Sequence, residues 1–331
     1  MTELQTRKPT GRPPFPLILL EGPSKTGKTY AAAELTASER VGRAFWLDLG
    51  EGSADEYGAI EGADFEIVVH NGSWPSIFAA VEQVHAVAAR AAAAGEPPVM
   101  LVFDSMTTEW EMIKDWVNRR ARQTKAAQKI LQDDPDADIK AGNLWNHGAD
   151  RHGQLMRLLK TFPGIAVVTA IGTETVALDK DGRPIPGERD YKIEAHKTLT
   201  RDVSAWVRYS HDTGPRVVGV RSPRAGFRPG VDRLEMRPEF TLEWLVFDLL
   251  GCGSDTTARD LVAPLSLVDL EGLALAADSA EWVNETWAMA KDAAMLDVAL
   301  PGGRTARELL TEAAGRIKAA SGQPAARGGA Q

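Results

Sequence analysis

The chain has 331 residues, 44% hydrophobic and 25% charged, with a formal net charge of −8; this is the balance of an ordinary globular chain of about two domains, and it excludes collagen-like, disordered and coiled-coil classes. The single cysteine, Cys252, closes no intrachain disulfide, and the negative balance argues against a surface that coats nucleic acid on every side. The polar, Pro-rich start MTELQTRKPTGRPPF has no apolar segment behind it, and no run of about 18 apolar residues occurs, so the expectation is a cytoplasmic chain with no secretion signal and no membrane span.

Residues 1–13 form a basic tail predicted to be disordered. The segments 15–21 (FPLILLE), 44–48 (AFWLD), 65–69 (FEIVV), 99–104 (VMLVFD) and 165–170 (IAVVTA) are short, apolar and unalternating, the pattern of strands buried on both faces. Helical patterns at 28–38, 74–93, 110–131 and 144–161 lie between them, so the expected fold is α/β with a mainly parallel sheet. Past Glu174 an Asp181-Gly182 pair signals a hairpin, and alternating strands at 205–210 and 216–221 give the sheet an antiparallel extension. Helical patterns at 267–277, 281–296 and 305–319 follow, broken at Pro301-Gly302-Gly303. The expected organisation is a core of residues 14–250, a small C-terminal helical region of residues 251–319 and a disordered tail of residues 320–331.

The strongest motif is Gly22-Pro23-Ser24-Lys25-Thr26-Gly27-Lys28-Thr29, a complete G-x-x-x-x-G-K-T between a predicted strand and a predicted helix. Its glycines let backbone N–H groups turn inward around phosphate oxygens, and the helix beginning at Lys28 aims its positive dipole end at the same place. Lys28 then reaches the β- and γ-phosphates of ATP and Thr29 offers its hydroxyl to Mg²⁺. Asp104, closing an apolar strand, is the second metal-holding candidate. No Glu follows it; Ser105 does. The carboxylate available to orient an attacking water is Glu51, in the stretch Asp48-Leu-Gly-Glu51-Gly-Ser-Ala-Asp55-Glu-Tyr57 after the second strand.

These motifs resemble the RecA-like P-loop ATPases, and within them the phage-encoded proteins that act with single-strand annealing and recombination systems. The resemblance covers about residues 14 to 250. It implies a RecA-like core, Mg²⁺-dependent ATP hydrolysis, a homo-oligomeric ring or filament with ATP at subunit interfaces, and action on single-stranded DNA with recombination or replication partners. It makes Glu51 the catalytic carboxylate and Asp55 and Tyr57 adenine contacts. Thr169 stands on the strand that carries the family's polar sensor, where this sequence lacks the expected Gln. Residues 174–197 would be the second DNA loop, unless they form a structural hairpin. Arg221 and Arg224 match basic residues that reach a neighbour's γ-phosphate, while contact with nucleic acid or solvation of an edge strand remain alternatives for them.

Between residues 197 and 237 nine basic residues face four acidic ones, a local basic patch on an acidic body. Arg119, Arg120, Arg122, Lys125 and Lys129 make a second basic run, open to phosphate contact or plain solvation. Trp46, Trp206 and Trp244 lie in apolar runs and are expected in the core, and the six histidines show no metal spacing. Other readings of the whole chain are a ring helicase or its loader, a nucleotide-gated assembly protein with little hydrolysis, and a P-loop phosphotransferase.

Overall fold

The computed structural model describes residues 8–50, 52–226, 240–259, 267–293 and 295–321; the expected tails at 1–7 and 322–331 and the candidate Glu51 lie outside them. The chain divides into two compact units, Met1–Asp260 and Leu261–Gln331.

The first unit runs β1 (Leu17–Gly22), α1 (Lys28–Thr36), β2 (Ala44–Asp48), α2 (Ala54–Tyr57), β3 (Glu66–Ile67), α3 (Trp74–Ala94), β4 (Met100–Asp104), α4 (Met106–Arg122), α5 (Lys125–Asp133), α6 (Leu144–Thr161), β5 (Ile165–Leu178), β6 (Pro184–Ile193), α7 (Leu199–Asp202), β7 (Ala205–Arg208) and β8 (Arg216–Val220). The sheet order is β3-β2-β4-β5-β1-β7-β8, with β6 paired to β5. β1 is parallel to both β5 and β7, and β4 is parallel to β2 and β5. Among the described strands only β6 and β8 run antiparallel to their neighbours. This is the α/β, mainly parallel RecA-like P-loop core with its antiparallel extension.

The continuous apolar runs are explained by the two faces of this sheet. Leu17 and Leu19 enter a core with Leu101, Phe103, Val168 and residues of α3 and α6. Ile18 and Leu20, pointing the other way, join Trp46, Val102, Val167 and α1 residues in a second core. Each residue of β1 is buried. Leu245, Val246 and Cys252 close the second core, so residues past 250 pack with the first unit, and Pro14 bridges Thr257. Trp46 is fully buried; Trp206 and Trp244 pack partly buried against the two cores.

Two predicted boundaries move. The single helix expected at 110–131 is two helices, because the hydroxyl of Thr124 accepts the Ala127 N–H and begins α5 afresh. α4 also starts earlier than periodicity suggests, where the Ser105 side chain caps the Thr108 amide. The second unit holds α8 (Leu267–Ala276), α9 (Ala280–Asp292) and α10 (Ala306–Ser321), joined by a core that includes Leu270, Ala274, Ala290, Leu309 and Leu310.

Candidate functional site

All the parallel strands point their carboxyl ends to one edge of the sheet, and the phosphate loop opens there. At its start Gly22 has φ +150°, and a Cβ on it would lie 2.3 Å from the Tyr209 carbonyl oxygen, so only glycine fits. Lys25 (φ 61°) and Gly27 (φ 94°) take left-handed backbone and turn the chain back into α1. Gly27 caps that helix without a side chain, which leaves the first-turn amides to an outside acceptor. The Thr26 hydroxyl donates to the Pro23 carbonyl at 2.9 Å and braces the loop. Lys28 is buried, and its Nζ donates to the Gly22 and Pro23 carbonyls at 2.9 and 2.7 Å, across the mouth of the loop. Ser24, Lys25 and Gly27 form the exposed rim, with Pro23, Thr26 and Thr29 half-buried beside it.

Asp104 closes β4, level with Asp48 at the end of β2. It is buried, and its Oδ1 accepts a hydrogen bond from the Thr169 hydroxyl on the strand that separates β4 from β1. The structure thus brings Lys28, Thr29, Asp104 and Thr169 to one edge. Thr107, in the first turn of α4, accepts the Ile171 amide at 2.9 Å and fixes that helix to the same strand.

Asp48 organises the next loop: its carboxylate accepts the Gly50 amide at 2.9 Å and the Ala54 amide at 3.4 Å. The Gly72 amide donates to His70 Nδ1. The other ring nitrogen, Nε2, therefore carries the proton and donates to the Asp48 carbonyl at 2.8 Å. Asp55 is exposed on α2, and the Tyr57 ring lies edge-on to Tyr30 at 6.4 Å. Tyr30 directly follows Thr29, and with Tyr57, Glu34 and Ile60 it lines a hollow beside α1. Sequence reasoning passed over Tyr30, although a half-exposed aromatic next to a phosphate loop is a signal for a base platform.

Arg221 and Arg224 are not in this group. β8 runs antiparallel to β7, which itself runs parallel to β1, so β8 ends at the amino edge of the sheet. The Arg221 amide donates to the Ser204 carbonyl, and the Ser204 amide to Leu17 at the first residue of β1. Five strand residues, about 16 Å, separate that level from Gly22.

Sequence reasoning also missed a buried polar hub. Glu21, fully buried one residue before the loop, accepts from Trp206 Nε1 at 2.9 Å and from Arg208 Nε at 2.6 Å. The Arg208 guanidinium in turn lies 3.7 Å from the centre of the Tyr191 ring, on β6. Burial, and then the negative charge of Glu21, push the Tyr191 hydroxyl well above its usual range. A charge inside an apolar run was the available signal, since a buried carboxylate demands partners.

A second hub lies under α4 and α6, where His152 Nδ1 donates to both oxygens of Glu109 at 3.2 Å, both side chains buried. Burial raises the Glu109 carboxyl despite this partner. The His196 ring lies tilted against His152, their centres 4.2 Å apart, and burial, with His152 as the next cause, lowers its pKa to about 4. Lys197 and Arg201 act in the same direction and Asp202 against it. Between pH 6.5 and about 4 the unfolded chain therefore binds a proton at this ring that the native chain refuses, and stability falls as the pH drops through that window. Glu109, shifted upward, acts in the opposite sense, so the contribution is isolated by comparison at each pH. Thermal melts at pH 7 and pH 5 should show a smaller acid-side loss in His196→Asn than in the parent; an equal loss would remove His196 from the account.

The phosphate loop, the buried aspartate on the strand two places away and the threonine between them define a P-loop ATPase. The AAA domain profile matches residues 16–223, and the chain belongs to that family. No curated protein matches it. Among solved structures, a prototypical ATPase from the type III secretion system of pathogenic bacteria is similar over 60% of this chain, with 17% identity and a TM-score of 0.35. The match covers 51% of that protein, about half its length. Among the described residues no helix is long and apolar enough to cross a membrane, and no group of three or more His, Cys, Asp and Glu could hold a metal ion.

Proposed function

We propose that the chain is a Mg²⁺-dependent, RecA-like ATPase that works as a homo-oligomer, with ATP between copies, on single-stranded DNA in recombination or replication, in the cytoplasm and in the manner of phage-encoded annealing systems. The observation that carries the oligomer is the position of Arg221 and Arg224 at the edge of the sheet opposite the phosphate loop. Arginines placed there cannot reach the nucleotide of their own copy, so a nucleotide that they contact belongs to another copy, the other roles open to this position being nucleic-acid contact and solvation of the edge strand. Particle mass with and without ATP tests this: a strict monomer that hydrolyses ATP would refute it.

The donor set suits magnesium, which usually takes one or two carboxylates plus phosphate oxygens and water rather than an all-protein cage. The Thr29 hydroxyl and the Asp104 carboxylate would hold it, and when bound it supplies neutralisation of charge on the β- and γ-phosphates. In hydrolysis a water oxygen bonds to the γ-phosphorus while the bond to the β–γ bridging oxygen breaks; ADP leaves, and the water's proton passes to the carboxylate and then to solvent. Glu51 takes that proton, because Asp48 is committed to the Gly50 and Ala54 amides. Glu51→Gln should slow turnover by about 10²–10⁴-fold while nucleotide binding persists, measured by phosphate release and by calorimetry. Unchanged turnover would move the role elsewhere.

Support for nucleic acid comes from α4 to α6. Arg119, Arg120, Arg122, Lys125 and Lys129 are all exposed. Trp116 lies among them, with the Arg151 guanidinium 3.7 Å and that of Arg120 5.6 Å from its ring centre. Basic groups interleaved with aromatics make a strand-tracking surface. The β5–β6 hairpin is different: six acidic against five basic residues between 174 and 197 give it no excess positive charge. Its own Tyr191 lies against Arg208, which holds Glu21, and this makes it a coupling arm rather than a phosphate track.

A further inference from the structure

Trp116 on α4 meets Arg151 on α6 beside a close contact between the two helices. A Cβ on Gly148 would lie 3.0 Å from the Cγ2 atoms of both Ile113 and Val117, so a glycine at this position lets α6 approach α4. One turn further along α6, His152 holds both oxygens of the buried Glu109 at 3.2 Å. Arg151 directly precedes His152, and Trp116 directly precedes Val117. The backbone that carries each side chain is therefore fixed by packing and by a buried hydrogen bond. The Arg151 guanidinium lies over the Trp116 ring, 3.7 Å from its centre, and that of Arg120 is 5.6 Å from the same centre. Trp116 and Arg151 are half-buried, whereas Arg120 is exposed. Among the described residues no carboxylate pairs with Arg120 or Arg151, although the exposed Asp115 and Asp150 are their neighbours in the chain.

Two like charges on one indole, without a counter-ion, leave both guanidiniums with donors to spend on an outside anion. Burial, and then the Arg120 charge, lower the Arg151 pKa, yet a guanidinium stays charged at neutral pH. The indole face that Arg151 covers is closed to a base. A guanidinium over a ring at this distance uses its flat surface for the contact and keeps its N–H groups, which lie in its own plane, for a partner. That planar fork matches two oxygens of one phosphodiester. Arg119, Arg122, Lys125 and Lys129, all exposed, continue the positive charge along α4 and α5. A row of cations of this length suits a chain of phosphates rather than a single free anion.

We propose that Trp116 is a buttress and not a base platform: it holds Arg151, with Arg120 beside it, as a preassembled fork for a phosphodiester of a single nucleic acid strand. This rests on the nucleic-acid reading above and narrows it, since the strand is gripped here by its sugar–phosphate chain whatever its bases, and through Arg151, a residue outside the basic run.

The test uses the full chain, with melts to confirm folding, and two fluorescent probes: an oligothymidylate and an abasic sugar–phosphate strand of the same length, each titrated over a range of salt concentrations. Arg151→Ala should weaken binding of both probes by the same factor, about tenfold at low salt, and flatten the plot of log affinity against log salt by about 0.7, the slope of one phosphate contact on a single strand. Trp116→Leu removes no charge, yet it should flatten the slope in the same direction, because Arg151 loses its support, and it should do so on both probes. If Trp116→Leu weakens the oligothymidylate alone and leaves the salt slope unchanged, the indole stacks on bases and the proposal is wrong. If Arg151→Ala binds both probes like the parent, the fork has no part in binding, while the nucleic-acid reading stands on the remaining cations. If the parent binds neither probe, both readings fall together. Should Trp116→Leu not fold, Arg151→Ala decides alone: a loss confined to the base-bearing strand would overturn the proposal.

Discussion

Lys28→Ala should abolish ATP turnover and reduce nucleotide affinity by about a hundredfold or more, the scale expected when a charged donor is removed from a preorganised phosphate site. The structure shows why one side chain carries so much. Lys28 is anchored in the first turn of α1, and its ammonium spans the loop mouth to the carbonyls of Gly22 and Pro23. An arriving phosphate competes with two neutral carbonyls for a buried ammonium and wins on charge. Alanine leaves the loop amides and the helix dipole in place, so residual weak binding is expected, but no point charge for the β- and γ-oxygens. Stability should change little, since alanine is a good helix former and the two carbonyls beside the open loop can turn to water. Lys28→Arg should fail as well, because a planar fork cannot take three donors into the turn. Calorimetric titration with ATP measures all three proteins. Parent-like binding by Lys28→Ala would remove the phosphate loop from the mechanism.

The phosphate loop was legible because its physics is local: two glycines, a lysine and a helix start stand within eight residues. The sheet was legible because strands covered on both faces cannot alternate, and β1, β2 and β4 stand where their apolar runs begin and end to within two residues. β3 is shorter than the apolar run 65–69, since its ladder with β2 at the sheet edge spans Glu66 and Ile67 and ends with the Val68 amide on the Trp46 carbonyl. The break between α4 and α5 was hidden because periodicity records apolar faces, whereas Thr124 acts by competing for backbone amides. Arg221 and Arg224 could be placed at a strand end, but which edge of the sheet that end reaches follows from the direction of β8, a tertiary fact. The partners of Glu21 were hidden for the same reason: Arg208 and Trp206 lie more than 180 residues away in the chain. Tyr191 meets them only because β6 folds back along β5.

Gly172→Ala gives the second large effect, and it probes that hub. Gly172 sits where β5 leaves β1 and begins to pair with β6. A Cβ there would lie 2.4 Å from Tyr191 Cε1 and within contact of Glu21 Oε2, so both side chains must move. Glu21 has little room to move, being fully buried and held by Arg208 and Trp206. Overpacking of this kind costs about 1–3 kcal/mol, which lowers the melting temperature by several degrees in a domain of this size. The functional consequence follows from sequence adjacency: Glu21 precedes Gly22, so its displacement shifts the start of the phosphate loop and raises KM for ATP more than it lowers kcat. A double-mutant cycle with Tyr191→Ala separates this from generic damage. Removing the ring opens the space into which the new methyl group points, so Gly172→Ala should cost less stability, and raise KM less, in the Tyr191→Ala background than in the parent. Equal costs in both backgrounds would show that the hairpin and the phosphate loop are not coupled through Glu21.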